Sequence, residues 1–120
     1  MYSHVRNVIV VALVVLVTAG VTTACSAEKP EPKTIEIIVP AGSRDRMRAG
    51  EYVVVMPAKL EMRVGDTLLI RNEDIAPHSV GPYVVQAGKE MKLTYGKAGK
   101  FEGFCAMSEG QNYEIVITDT

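Results

Sequence analysis

Two histidines and two cysteines, His4, Cys25, His78 and Cys105, are the side chains of this 120-residue chain best suited to soft-metal ligation or nucleophilic chemistry. Their number limits what they can do. Cys25 and Cys105 could close one disulfide, which is far from a disulfide-framed miniprotein. A histidine beside a cysteine can hold a metal ion or, as imidazolium next to thiolate, activate a nucleophile. Two protein ligands are too few for a structural zinc site. The chemistry available therefore depends on which of the four residues the fold brings together.

The N-terminal segment separates them. No residue from Asn7 to Ala27 is charged, and Val8–Val17 is a run of aliphatics behind Arg6. A basic start, an apolar stretch and small residues ahead of a cut site form an export signal. Val21, Thr22, Thr23 and Ala24 lead into Cys25 in a pattern that resembles the bacterial lipobox, with Thr22 where that pattern has an aliphatic residue. The resemblance implies cleavage before Cys25 and lipidation of its sulfur. The expected organisation is a signal peptide over 1–24, a lipidated Cys25 with a flexible tether over 25–33, and one domain over 34–120. An uncleaved anchor and simple secretion are the alternatives, since about 20 apolar residues also span a bilayer. All three place the domain on the extracytoplasmic side of the cell membrane. The stretch Ser26–Lys33 (SAEKPEPK) is polar, with two prolines, as a tether requires. His4 and Cys25 then leave the reckoning, and the domain holds one imidazole, His78, and one thiol, Cys105.

The domain that positions them reads as strands. Thr34–Val39 (TIEIIV) puts Ile35, Ile37 and Val39 on one face with a period of two. Ser43–Gly50 reads as a solvated loop or short turn of helix, and Glu51–Met56 (EYVVVM) as strand-like. Leu60, Met62 and Val64 alternate with charged residues, and Gly65–Asp66 makes a turn. Thr67–Arg71 (TLLIR) reads as a strand covered on both faces. Asn72–Pro77 is a loop, Tyr83–Val85 and Glu90–Tyr95 are further strands, and Gly96–Lys100 is a turn. Phe101–Phe104 leads into Cys105, and Tyr113–Thr118 closes the chain. Seven or eight short strands with Gly and Pro turns predict an all-β fold, an antiparallel Greek-key β-sandwich. Met47, Met56, Met62 and Met91 read as adaptable core or loop fillers.

The order of pieces Val64-Gly65-Asp66-Thr67, Asn72-Glu73-Asp74, Pro77-His78-Ser79-Val80 and Gly99-Lys100-Phe101-Glu102-Gly103-Phe104-Cys105 resembles the cupredoxin, or blue copper, family over Thr34–Thr118. In that family a copper ion sits between two loops, held by an early His, a Cys thiolate, a second His and a weak axial Met or Gln. The resemblance implies His78 and Cys105 as copper ligands. Family members with the shortest loop carry Cys, two residues, His, two residues, Met. Here Ser108 stands where that second His belongs and Gln111 where the axial residue belongs. The ligand set is thus incomplete, with Met107 or Gln111 assisting, and the soft set of His, Cys and Met favours Cu(I). Asn72 and Asp74 are expected to fix the loop before His78 through side-chain to backbone hydrogen bonds, and Pro77 to stiffen it. Ser79 is expected to steady the Cys105 sulfur through its backbone N–H, as the matching residue does in the family. The dinuclear copper site of oxidase subunits is excluded, because it needs two cysteines in the last loop.

The function expected is copper handling or electron transfer by a membrane-tethered, monomeric protein that is not an enzyme, its partners a membrane and a redox or copper-acceptor protein. A metal-free interaction module docking to a membrane complex and a reactive thiol at Cys105 are the rivals. A net charge of −1, a pI near 6.1 and no basic stretch beyond Arg44, Arg46 and Arg48 argue against nucleic acid as a partner.

Overall fold

The computed structural model describes Gly20 and residues 28–119; apart from Gly20, the segment 1–24 expected as a signal peptide lies outside the described residues, as does Cys25 with its expected lipidation. Residues 28–32 are exposed and without secondary structure, and Lys33 is the first to be tied down, its N–H donating to Asp66 Oδ1 at 2.9 Å. Among the described residues no helix is long and apolar enough to cross a membrane.

Branched residues with a period of two build the sheets. In β1 (Thr34–Val39), Ile37 and Val39 are buried; in β3 (Thr67–Asn72) so are Leu68, Ile70 and Asn72, and β6 (Glu90–Thr94) adds Met91 and Leu93. The order is β1-β3-β6. A second sheet, β2-β8-β7, holds β2 (Lys59–Arg63), β8 (Asn112–Thr118) and β7 (Gly99–Phe104), with Leu60, Met62, Ile115 and Ile117 turned inward. A hairpin of β4 (His78–Val80) and β5 (Tyr83–Val85) closes one end. The two sheets share one core, in which burying a Leu or Ile side chain contributes about 1.5–3 kcal/mol. The all-β sandwich expected from the sequence is what forms.

Three readings of detail need correction. The ladders are mixed rather than all antiparallel: β1 runs parallel to β3 and β2 parallel to β8. Glu51–Met56 pairs with no strand along its length. Its N–H groups at Val55 and Met56 donate instead to the Met107 carbonyl, at 2.8 and 3.3 Å, and Met56 makes a single bridge to Ser108. Finally, β3 is buried on one face while Leu69 and Arg71 on the other are half-exposed, because Arg71 reaches out to Glu36 and Glu90, at 3.2 and 3.7 Å. An apolar run of this kind can therefore be a one-sided strand when its flanking charge has partners across the outer face.

The polar stretch after β1 forms a six-residue helix, α1 (Ser43–Arg48). It ends in a Schellman turn: Gly50, at φ 83°, donates to Met47 O, and Glu51 donates to Arg46 O. Asp66 ties the other end of the sandwich, accepting from Lys33 N–H and Arg63 N–H at 2.9 and 2.8 Å. Those two backbone donors hold its carboxyl below the usual carboxylate range.

Candidate metal centre

The alternation of β4 turns His78 and Val80 inward and Ser79 outward. Because β4 is short and begins at His78, the ring's position depends on the loop before it. Asn72 organises that loop from its buried place at the end of β3. Its Nδ2 donates within 2.8–3.2 Å to the carbonyls of Ala76, Val85 and Gln86, and its Oδ1 accepts from Asp74 N–H. This is the bracing the sequence led us to expect of Asn72.

Asp74 does more than brace. Its carboxylate accepts from Gly42 N–H at 3.1 Å and Arg44 N–H at 2.8 Å, and its Oδ2 lies 2.6 Å from His78 Nε2. One buried side chain thus joins the start of α1 to the imidazole. The hydrogen bond from His78 is the main cause that holds the Asp74 carboxyl far below its ordinary range. With Nε2 engaged, Nδ1 has no hydrogen-bond partner among the described residues. An imidazole oriented by a carboxylate through one nitrogen and free at the other is the arrangement in which histidine ligates metals.

Cys105 follows the edge strand β7 and is a free thiol, 2% exposed. Its sulfur accepts from Gly81 N–H at 3.4 Å and lies 3.8 Å from the Ser79 carbonyl. The N–H on the sulfur therefore comes from Gly81, not from Ser79 as expected; Ser79 offers its carbonyl instead. The cause is the hairpin turn, where Gly81 at φ 56° swings its N–H back towards the sulfur.

From Cys105 to Gln111 the chain closes on itself. Cys105 N–H donates to Gln111 O at 3.0 Å, Ser108 N–H to Cys105 O at 3.1 Å and Gln111 N–H to Ser108 O at 3.0 Å. Gly110 and Gln111 both adopt left-handed conformations, at φ 70° and 61°, and for Gln111 that is uncommon. Ser108 is buried, its hydroxyl turned onto the carbonyls of Cys105 and Asn112. It braces the loop.

His78, Cys105 and Met107 line one cleft of about 450 Å³, together with Met47, Pro77, Ser79, Gly81, Phe104 and Ala106. Three of the four expected ligands, His78, Cys105 and Met107, are thus found in its lining. Gln111 does not line this cleft; it borders a neighbouring groove with Tyr52, Val53 and Ala106. The donors in the cleft are an imidazole nitrogen, a cysteine sulfur that accepts from Gly81 N–H, and thioether sulfur, a set suited to Cu(I). Among the described residues no three His, Cys, Asp or Glu side chains converge as a metal site.

Three features of this site escaped the sequence reading: the hold of Asp74 on the ring, the N–H of Gly81, and Met47 in the cleft wall. For Asp74 a signal existed, a carboxylate four residues before the single histidine of the domain. For the other two, only the folded hairpin and the placement of α1 reveal them.

No protein-family model matches the chain, and no curated protein matches it. Among solved structures the chain is similar to a novel purple cupredoxin from Nitrosopumilus maritimus, at 24% identity over 68% of this chain and 97% of that one, with a TM-score of 0.40. It is similar also to the reduced state of an amicyanin mutant, at 16% identity over 76% of this chain and 87% of that one, with a TM-score of 0.40. A copper-containing nitrite reductase from Thermus scotoductus aligns at 18% identity over 77% of this chain and 23% of its own, with a TM-score of 0.41.

Proposed function

We propose that this chain is a cupredoxin-like protein, tethered outside the cytoplasmic membrane, that binds copper as Cu(I) through His78, Cys105 and Met107 and hands it, or an electron, to a partner. The observation that carries the reading is that these three side chains line one cleft, with the ring held through Nε2 by Asp74. A bound Cu(I) would supply the transferable ion or electron; the chain's own groups orient the imidazole and donate one N–H, that of Gly81, to the cysteine sulfur. The ligand set lacks the second imidazole of a blue copper site, which favours copper handling over electron transfer. Tethering rests on the segment 1–24 and Cys25. The reading assigns the protein no bond-making step and no nucleic acid, and treats it as a monomer.

The metal-free docking module is the second reading, favoured by the lack of three converging His, Cys, Asp or Glu side chains among the described residues. One titration separates the two. The full-length chain carrying Cys25→Ser is titrated with Cu(I) under anaerobic conditions. The copper reading expects one equivalent bound and its loss on both Cys105→Ser and His78→Ala. No stoichiometric binding would leave the docking module.

A further inference from the structure

We propose that Met47 is the fourth copper donor, a thioether supplied by α1 where the second imidazole of a blue copper site is missing; this rests on the copper reading above. Ser108, at the sequence position of that imidazole, is committed to the carbonyls of Cys105 and Asn112 and does not line the cleft. Met47 does line it, from a distant part of the chain, half-buried against the core and forming the wall between this cleft and the neighbouring groove.

What sets Met47 apart from a gap-filling methionine is how its helix is held. α1 is tied to the site at its start, where the Gly42 and Arg44 N–H groups donate to Asp74, and is capped at its end by the Schellman turn of Gly50 and Glu51 onto Met47 and Arg46. The carboxylate that holds the start of α1 is the one that holds the His78 ring. Helix and imidazole are therefore in register with each other through a single side chain, so that a thioether on α1 keeps a fixed relation to the histidine. The donors of the cleft become one imidazole nitrogen, one thiolate and two thioethers. Thiolate and thioether ligands select Cu(I), which gives a site built to carry the reduced ion.

The test uses the full-length chain carrying Cys25→Ser, with Cu(I) presented by the chromophoric chelator bicinchoninate under anaerobic reducing conditions. Met47→Leu keeps the volume and removes the sulfur. We expect its Cu(I) affinity to fall by at least the roughly tenfold that losing even a supporting contact costs a metal site, with unchanged circular dichroism. X-ray absorption at the copper edge should count three sulfur neighbours in the parent and two in Met47→Leu. If Met47→Leu disturbs the fold, the parent's sulfur count alone decides. Parent-like affinity in a folded Met47→Leu, or two sulfurs in the parent, overturns the proposal. Should Cys105→Ser abolish binding in that case, the copper reading stands and only Met47 is excluded; should Cys105→Ser also bind normally, both fall.

Discussion

Asp74 Oδ2 and His78 Nε2 lie 2.6 Å apart, four residues from each other in the chain and both buried. The pair fixes which imidazole nitrogen is engaged and which is left without a hydrogen-bond partner among the described residues. Asp74→Asn should therefore change the tautomer populations of His78, read from its ring nitrogen shifts, and weaken Cu(I) binding about 10–100-fold. A wild-type tautomer balance together with wild-type affinity would show that the carboxylate only braces the loop.

Asp66 predicts an acid limb to stability. Its carboxyl is held below the ordinary range by the N–H groups of Lys33 and Arg63. A group depressed in the folded state stabilises the fold at every pH above its unfolded pKa, about 3.9, and that contribution fades as pH falls through the lower folded value. Asp66→Asn should lower Tm at pH 7 and flatten its decline in the acid range below about pH 4. Parallel Tm curves for parent and variant across that window would refute it.

The brace at Ser108 is testable by two substitutions. Ser108→Ala removes a buried hydroxyl donor and should cost about 1 kcal/mol in denaturant unfolding. Ser108→His, which restores the residue type of a complete blue copper loop, must force a ring into a site 2% exposed and already filled. It should destabilise by about 1–3 kcal/mol and yield no intense thiolate-to-Cu(II) band. Appearance of that band in a stable variant would show that the loop can reopen.

Cys105, at 2% exposure, should react slowly with iodoacetamide at neutral pH in the folded apoprotein and rapidly once denaturant is added. Fast labelling of the native chain would revive the reactive-thiol rival.

Gly81 combines a left-handed φ of 56° with the N–H on sulfur, while a Cβ there would find its nearest neighbour, Ile115 Cδ1, at 3.5 Å. Room exists, but the backbone conformation disfavours a side chain. Gly81→Ala should cost about 1–2 kcal/mol, measured by chemical denaturation; an unchanged midpoint would mean that the hairpin relaxes without loss.

Much of this was readable from the sequence where a local rule decides. Period-two runs at Ile35–Val39 and Leu60–Val64 located strands, and the turn residues at Gly65–Asp66 located the boundary between two of them. The failures share one cause. Glu51–Met56 has strand composition, yet its partner is the Met107 carbonyl in a loop, and parallel pairing of β1 with β3 depends on where distant segments meet. At the site, Asn72 was legible through its local bonds, to Ala76 O and from Asp74 N–H, whereas its bonds to the Val85 and Gln86 carbonyls exist only once the fold brings those residues alongside. Gln111, assigned by its spacing from Cys105, borders a different groove because two successive left-handed residues redirect the chain just there.

The closure from Cys105 to Gln111 bears on how this region can vary. Each of its three internal bonds spans a fixed number of residues, and the segment is also clamped from outside by Val55 and Met56 on Met107 O and by Glu109 on Met56 O. A substitution that keeps the backbone path leaves those bonds in place, whereas one inserted or deleted residue changes the spacing of the Cys105-to-Gln111 bond and of one of the two shorter bonds nested inside it. Length is the guarded quantity here, so natural or engineered variants should differ in the letters of these seven positions far more readily than in their number.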